Sequence, residues 1–159
     1  EVGESCNLTA LSSGEIIYLD RAETEAPLRF HLQPGSRVPV HCSATGKLFL
    51  AHMSKSQRRR LIENVPLTQY TVKTITDYST LEKDIEEAKI QGFAIDDEEF
   101  LPGLVCIAVL IPSSTGQSNL GLAIQAPVIR VKPDEAIKFL PALQKAAKAL
   151  AKIESDNWG

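Results

Sequence analysis

Four carboxylates and a thiol stand close together in "GFAIDDEEFLPGLVCIAVLIP", Gly92 to Pro112. Acids beside a thiol suit a metal site, a cysteine nucleophile or a polar ligand pocket. The same residues also suit two strands joined by a turn. In an extended chain side chains alternate, so Asp96 and Glu98 share one face and Asp97 and Glu99 the other. At most one of these pairs can point inward, and the rest belong to a solvated edge or turn. An inward acid among apolar strands would have a perturbed environment and mark a site. Cys106, flanked by Val105 and Ile107, reads either as a small buried hydrophobe or as a pocket residue. As a nucleophile it would need a base. His41 is of the right type, but no local motif joins the two. Zinc held by Cys106, Asp96 and His41 is possible by residue type and gains no support from their spacing.

A second stretch, "VPVHCSATGKLFLA" (Val38 to Ala51), runs from an apolar strand-like piece through small residues into a helix. The first N–H groups of a helix have no intrahelical acceptor, and the helix dipole favours an anion there. A carboxylate or phosphate site at the helix start, Ser43 to Gly46, is one reading; simple capping by Ser43 or Thr45 is the other. The spacing of a phosphate-binding P-loop is absent. "QRRR" (Gln57 to Arg60) is the one basic run, short and helical, and reads as a solvated face.

These residues need elements to hold them. "SCNLTAL" (Ser5 to Leu11), "IIYLDRA" (Ile16 to Ala22) and "LRFHL" (Leu28 to Leu32) read as strands, with turn residues at Ser12 to Glu15 and a loop at Gln33 to Pro39. Helices follow at Ala44 to Met53, Ser54 to Val65 and Ser79 to Gly92. Ser54 with Gln57 and Ser79 with Glu82 have capping-box spacing, and Gly92 is a stop signal. Leu81, Ile85, Ala88 and Ile90 lie near one side of the third helix. Strands return at Phe93 to Phe100, Leu104 to Ile111 and Asn119 to Ala126. A closing amphipathic helix, Lys132 to Ile153, buries Ile137, Leu140, Leu143, Ala147 and Leu150, with a slight kink at Pro141. Short connections favour antiparallel pairing. The expected architecture is α+β: one sheet of about six strands with helices against it.

Composition sets the limits. A chain of 159 residues suits one domain with a full core. A net charge of −3 argues against a chain built mainly to grip DNA. No run approaches the ~18 apolar residues of a membrane span, and the first residues lack a signal peptide's basic start and apolar core. Three widely spaced cysteines, Cys6, Cys42 and Cys106, argue against a disulfide framework and suit a reducing cytoplasm. The chain begins with Glu rather than Met, as expected of a piece excised from a longer protein.

Taken together, "VPVHCSATGKLFLA", "IQGFAIDDEEFLPGLVCIAVLI" and "GLAIQAP" resemble the effector-binding domain of the isocitrate-lyase-regulator (IclR) family of bacterial transcription regulators. "NLTALSSGEIIYLDRAE" fits as well, and the resemblance runs from about Cys6 to Ile153. It implies a GAF-like (profilin-like) fold and a single effector-binding domain over 1–159. The family's N-terminal winged helix-turn-helix would be absent, so operator DNA would be met only through that missing part. It implies a small-molecule effector and dimers or tetramers of the chain itself; a cytoplasmic location and no enzyme activity, cofactor or metal are expected, with a metal-dependent sensor as a variant. Backbone amides at Ala44 and Thr45 would hold an effector carboxylate. Asp96 and Cys106 match pocket positions; Phe30, Val38 and Leu104 match its apolar wall; the end of the last strand contributes Ala123 and Gln125.

Family members that bind very small keto acids present hydroxyl side chains where this chain has Ala123 and Gln125. A methyl and an amide there predict a somewhat larger acid, aromatic or derived from a sugar acid, rather than glyoxylate or pyruvate. Two other classes compete: a GAF-like thiol redox enzyme using Cys42 and Cys106, and an oligomerisation module with a vestigial pocket.

Overall fold

The computed structural model describes residues 2–28, 30 and 32–158. Strands β1 (Ser5–Ser12) and β2 (Glu15–Ala22) form a hairpin. Ser13 and Gly14 both adopt left-handed backbone angles there, the two-residue turn whose twist matches paired strands. The third strand is not at Leu28 to Leu32. Leu28, Phe30 and Leu32 are irregular, while Arg29 and His31 lie outside the described residues. Strand β3 is instead Arg37–Pro39, inside the stretch expected to be loop, where Val38 pairs with Ile16. Pro34 and Gly35 turn the chain only as far as Ser36, which leaves the next three residues free to pair.

Helices α1 (Ala44–His52), α2 (Lys55–Glu63) and α3 (Tyr78–Gln91) follow. The capping box of Ser54 and Gln57 forms as expected. At α3 the cap is Asp77, whose side chain accepts from the Thr80 N–H, not Ser79 with Glu82. Glu82 is drawn away to Arg58. That arginine is fully buried and pairs with both Glu82 and Glu86, so the basic run is not a uniformly solvated face. Leu81, Ile85 and Ala88 are buried, whereas Ile90 faces solvent. Gly92 ends α3 in the left-handed conformation.

Strands β4 (Ala94–Asp97), β5 (Leu104–Leu110) and β6 (Leu120–Pro127) complete an antiparallel sheet of order β3-β2-β1-β6-β5-β4. The expected strand through Phe100 stops at Asp97, because Glu98 takes a positive φ of 55° and starts the turn. A 3-10 segment (Pro133–Phe139) then leads into α4 (Leu140–Trp158). Pro141 lies in the first turn of α4, where its missing N–H costs nothing. It marks a change of helix type rather than a kink inside one helix. The expected stripe holds at Leu143 and Ala147, but Ile137, in the 3-10 segment, is half exposed.

Alternation in the central strands gives the sheet two apolar faces. Val105, Ile107, Leu122 and Ile124 pack with Leu143 and Ala147 of α4. Leu104, Cys106, Ala108 and Ala123 turn the other way, onto Ala44 and Leu48 of α1 and Ala88 of α3. The sheet is thus covered on both sides, and the α1 side holds the candidate site.

Candidate functional site

Strand register builds the site. Asp96 pairs with Cys106, and Cys106 pairs with Gln125, so three strands present these side chains in one row on the α1 face. Ala123 stands two residues along β6 on the same face. Above them sits the start of α1. Ser43 Oγ accepts from Gly46 N at 3.2 Å, which leaves the Ala44 and Thr45 N–H groups beyond the reach of any intrahelical carbonyl. Two glycines permit this docking. A Cβ on Gly46 would lie 2.3 Å from the Val40 carbonyl oxygen, and one on Gly121 would lie 2.2 Å from Thr45 Cγ2.

A small, narrow cavity results. Ser43, Ala44, Thr45, Asp96, Cys106, Ala123 and Gln125 border it with Val38 and Leu104, so eight of the nine residues expected at the site meet there. Phe30 does not border it; it packs against the apolar cluster that includes Leu104 and Ala123, with its ring end near Gly103. Thr9, Tyr18 and Phe100 also line the cavity and were missed. Tyr18 was legible, because it alternates with the buried Ile16 along β2. Phe100 was not, since the turn that aims it inward depends on the unusual backbone of Glu98. The cavity encloses only about 10 Å³, room for one water molecule. The Tyr18 hydroxyl closes one side, accepting from Gln125 Nε2 at 2.6 Å.

The four acids divide in a way alternation alone did not predict. Asp96 is 3 % exposed and its Oδ1 accepts from the Glu99 N–H at 2.7 Å. Burial, then the nearby Glu99 charge, push its carboxyl up to about 8. Glu99 is also buried, with both oxygens 2.8 Å from Lys47 Nζ, which bonds Asp84 as well at 3.0 Å. Asp97 and Glu98 face outward onto Lys73, and Glu98 also caps the Gly103 N–H. Glu99 is therefore a buried partner for a buried lysine, not a solvated acid.

Burial raises the Cys106 thiol well above its usual range, and Asp96 raises it further. The Cys42 thiol is pushed up by burial, then by Asp96 and Glu99. His41 is buried with Nε2 2.9 Å from the Thr68 carbonyl oxygen and does not border the cavity. Neither cysteine therefore has the electropositive, accessible setting of a reactive thiolate. Among the described residues no three His, Cys, Asp or Glu side chains are grouped to hold a metal ion. A larger groove of about 600 Å³ lies on the outer side of the Lys47–Glu99 pair, bordered by Lys73, Glu87, Asp97 and Asp134. No described helix is long and apolar enough to cross a membrane.

Residues 1–152 match the family model described as the bacterial transcriptional regulator IclR C-terminal domain. The chain is 40 % identical over 152 residues to a probable transcriptional regulator, SauR, of Cupriavidus necator, covering 96 % of this chain and 60 % of that protein. It is 31 % identical over 150 residues to the transcriptional repressor IclR of Escherichia coli, covering 93 % and 55 %. Among solved structures it resembles Thermotoga maritima IclR at a TM-score of 0.87 and 25 % identity, covering 94 % of this chain and 61 % of that one. It also resembles the inducer-binding domain of PobR from Acinetobacter, a double mutant in complex with 3-hydroxybenzoic acid. There the TM-score is 0.86 at 25 % identity, covering 94 % and 89 %. The chain spans three-fifths or less of the length of these curated relatives, which are transcriptional regulators rather than enzymes.

Proposed function

We propose that this chain, which belongs to the IclR family of bacterial transcriptional regulators, is the part of its protein that senses a small organic acid. One observation carries the reading: the free N–H groups that open α1 and the Asp96–Cys106–Gln125 row border the same narrow cavity. The helix start would hold the acid's carboxylate, with Asp96 and Gln125 meeting its polar groups. Val38 and Leu104 supply apolar wall, with Phe30 behind it. The PobR domain, solved with an aromatic acid, supports an acid as the ligand class.

A cavity of about 10 Å³ cannot admit an acid without opening. Ligand entry must displace Tyr18, Phe100 or the start of α1, and that displacement is how binding would reach the surface. In the whole protein, the effector would favour one arrangement of protomers in a dimer or tetramer. DNA-binding domains of helix-turn-helix type, outside this chain, would follow. Coupling of this kind amounts to ~1–3 kcal/mol between effector and operator. Thermal unfolding of the chain against a panel of aliphatic, aromatic and sugar acids tests the reading. A ligand at about a hundred times its dissociation constant adds ~2.7 kcal/mol, several degrees for a domain of this size. No shift with any acid would leave the oligomerisation-module reading standing.

A further inference from the structure

Among the described residues, five buried side-chain atoms have no hydrogen-bond partner: both polar atoms of Asn7, Arg21 Nε, His41 Nδ1 and Gln125 Oε1. Four of the five fall in one place. Asn7 pairs across β1 with Ala123 on one side and Arg21 on the other, and Ser5 pairs with Gln125. Directly paired residues point to the same face of a sheet. Asn7, Arg21, Ala123 and Gln125 therefore share the α1 face, with Asn7 diagonal to Gln125. Asn7 is 1 % exposed. Both its amide atoms are unpaired, so exchanging oxygen and nitrogen by flipping the group relieves neither.

Such an arrangement opposes folding. A buried amide without partners loses its water and receives nothing back. A leucine of similar size would fill the position without that loss. Beside Asn7, Ala123 and then Ala108 carry only methyl groups, which keeps bulk away from the amide. The Arg21 guanidinium donates to the carbonyl oxygens of Leu32 at 2.8 Å and Phe30 at 3.2 Å, so it holds the chain segment lying over this end.

We propose that Asn7, with Gln125 at the cavity's edge, forms a second polar subsite beside that cavity, and that the effector is an acid whose other end both donates and accepts hydrogen bonds, a hydroxyl or a carboxamide. This rests on the sensing function proposed above and narrows its ligand. The unpaired atoms comprise two donors, Asn7 Nδ2 and Arg21 Nε, and two acceptors, Asn7 Oδ1 and Gln125 Oε1. A keto oxygen would satisfy only the donors, and a methyl or phenyl group would satisfy none. Gly121, on which Thr45 rests, is two residues from Ala123 and four from Gln125. Asn7, paired with Ala123, thus lies roughly 7 Å along β1 from Thr9, which pairs with Gly121 under the helix start.

The test is a comparison of matched acids by thermal unfolding and calorimetric titration of the 159-residue chain. 3-Hydroxypropionate and malonamate should bind roughly tenfold tighter than propionate and pyruvate. The Asn7→Leu variant should lose that preference, keep the weaker binding of propionate, and melt no lower than the parent without ligand. Gln125→Met should also lose most of the preference, which keeps the test open if Asn7→Leu folds poorly. Equal binding of all four acids by the parent would overturn the subsite and leave acid sensing intact. A preference that survives both variants would overturn it too. So would a lower melting point of soluble Asn7→Leu without ligand, which would mean that the amide already has a structural partner. Binding of no acid at all would overturn the sensing function and the subsite together.

Discussion

The backbone N–H of Glu99 donates to Asp96 Oδ1 over 2.7 Å, and the turn that makes this bond buries both side chains. Two carboxyl groups thus sit within one small volume with one lysine, Lys47, bonded to Glu99. Burial, and then the charge of Glu99, hold the Asp96 proton up to about 8, while Lys47 only partly offsets them.

A pH dependence follows. Asp96 has a folded pKa above its unfolded one, so the stabilising protonated form is fully present below about pH 4 and lost as pH rises through about 8. Asp96→Asn keeps an acceptor for the Glu99 N–H and removes the ionisation. Its melting temperature should match the parent near pH 4 and exceed it by several degrees at pH 8. The parent's affinity for an anionic effector should fall over the same upper range, as Asp96 gains charge, while the variant's should not.

Lys47 is the counterweight. Removing it as Lys47→Met strands Glu99 in a buried site beside Asp96. The loss should be ~3–5 kcal/mol, as for other broken buried ion pairs. Denaturant titration at neutral pH reads it. A loss below about 1 kcal/mol, the level of surface ion pairs, would show that water reaches the pair and that the site is looser than described.

Gly121 sets how close α1 comes to the sheet. A Cβ at this position meets Thr45 Cγ2 at 2.2 Å and Thr9 Oγ1 at 3.1 Å. Gly121→Ala should cost ~1–3 kcal/mol by overpacking and weaken acid binding by shifting the helix start. Thr45→Ser removes the clashing methyl, so the double variant should recover part of both losses. Strict additivity in a double-mutant cycle would contradict the contact.

The three thiols should be inert. Burial raises Cys6, Cys42 and Cys106 alike. Alkylation of native protein near neutral pH should be slow at all three and become rapid in denaturant. A single fast thiol in the folded chain would revive the redox-enzyme reading.

Sequence carried the architecture further than the cavity's shape. The alternation of β1, the β-branched and aromatic content of β2, the apolar runs of β5 and β6 and the capping signals at Ser54 and Gly92 are local, so they could be read directly. Strand β3 could not, because three residues pair only once β2 supplies an edge. The Asp77 cap was hidden by a competing Ser79–Glu82 pattern, which lost its glutamate to Arg58 in another helix. Alternation left Asp96 with Glu98, or Asp97 with Glu99, as the inward pair, and only the family resemblance singled out Asp96. The burial of Glu99 was not legible, because it depends on the positive φ of Glu98 and on Lys47, fifty-two residues away. Asn7 could have been placed inside by alternation with Thr9. That its amide has no partner is visible only in three dimensions.

The central claim is that an acid sits between the start of α1 and the Asp96–Cys106–Gln125 row. Backbone amide NMR during titration with an acid that raises the melting temperature tests it most directly. The account predicts that the Ala44 and Thr45 amides shift most, with Asp96, Cys106 and Gln125 moving alongside and the α4 face near Leu143 and Ala147 unmoved. Shifts centred on the outer groove at Glu87, Asp97 and Asp134, with Ala44 and Thr45 unchanged, would contradict it.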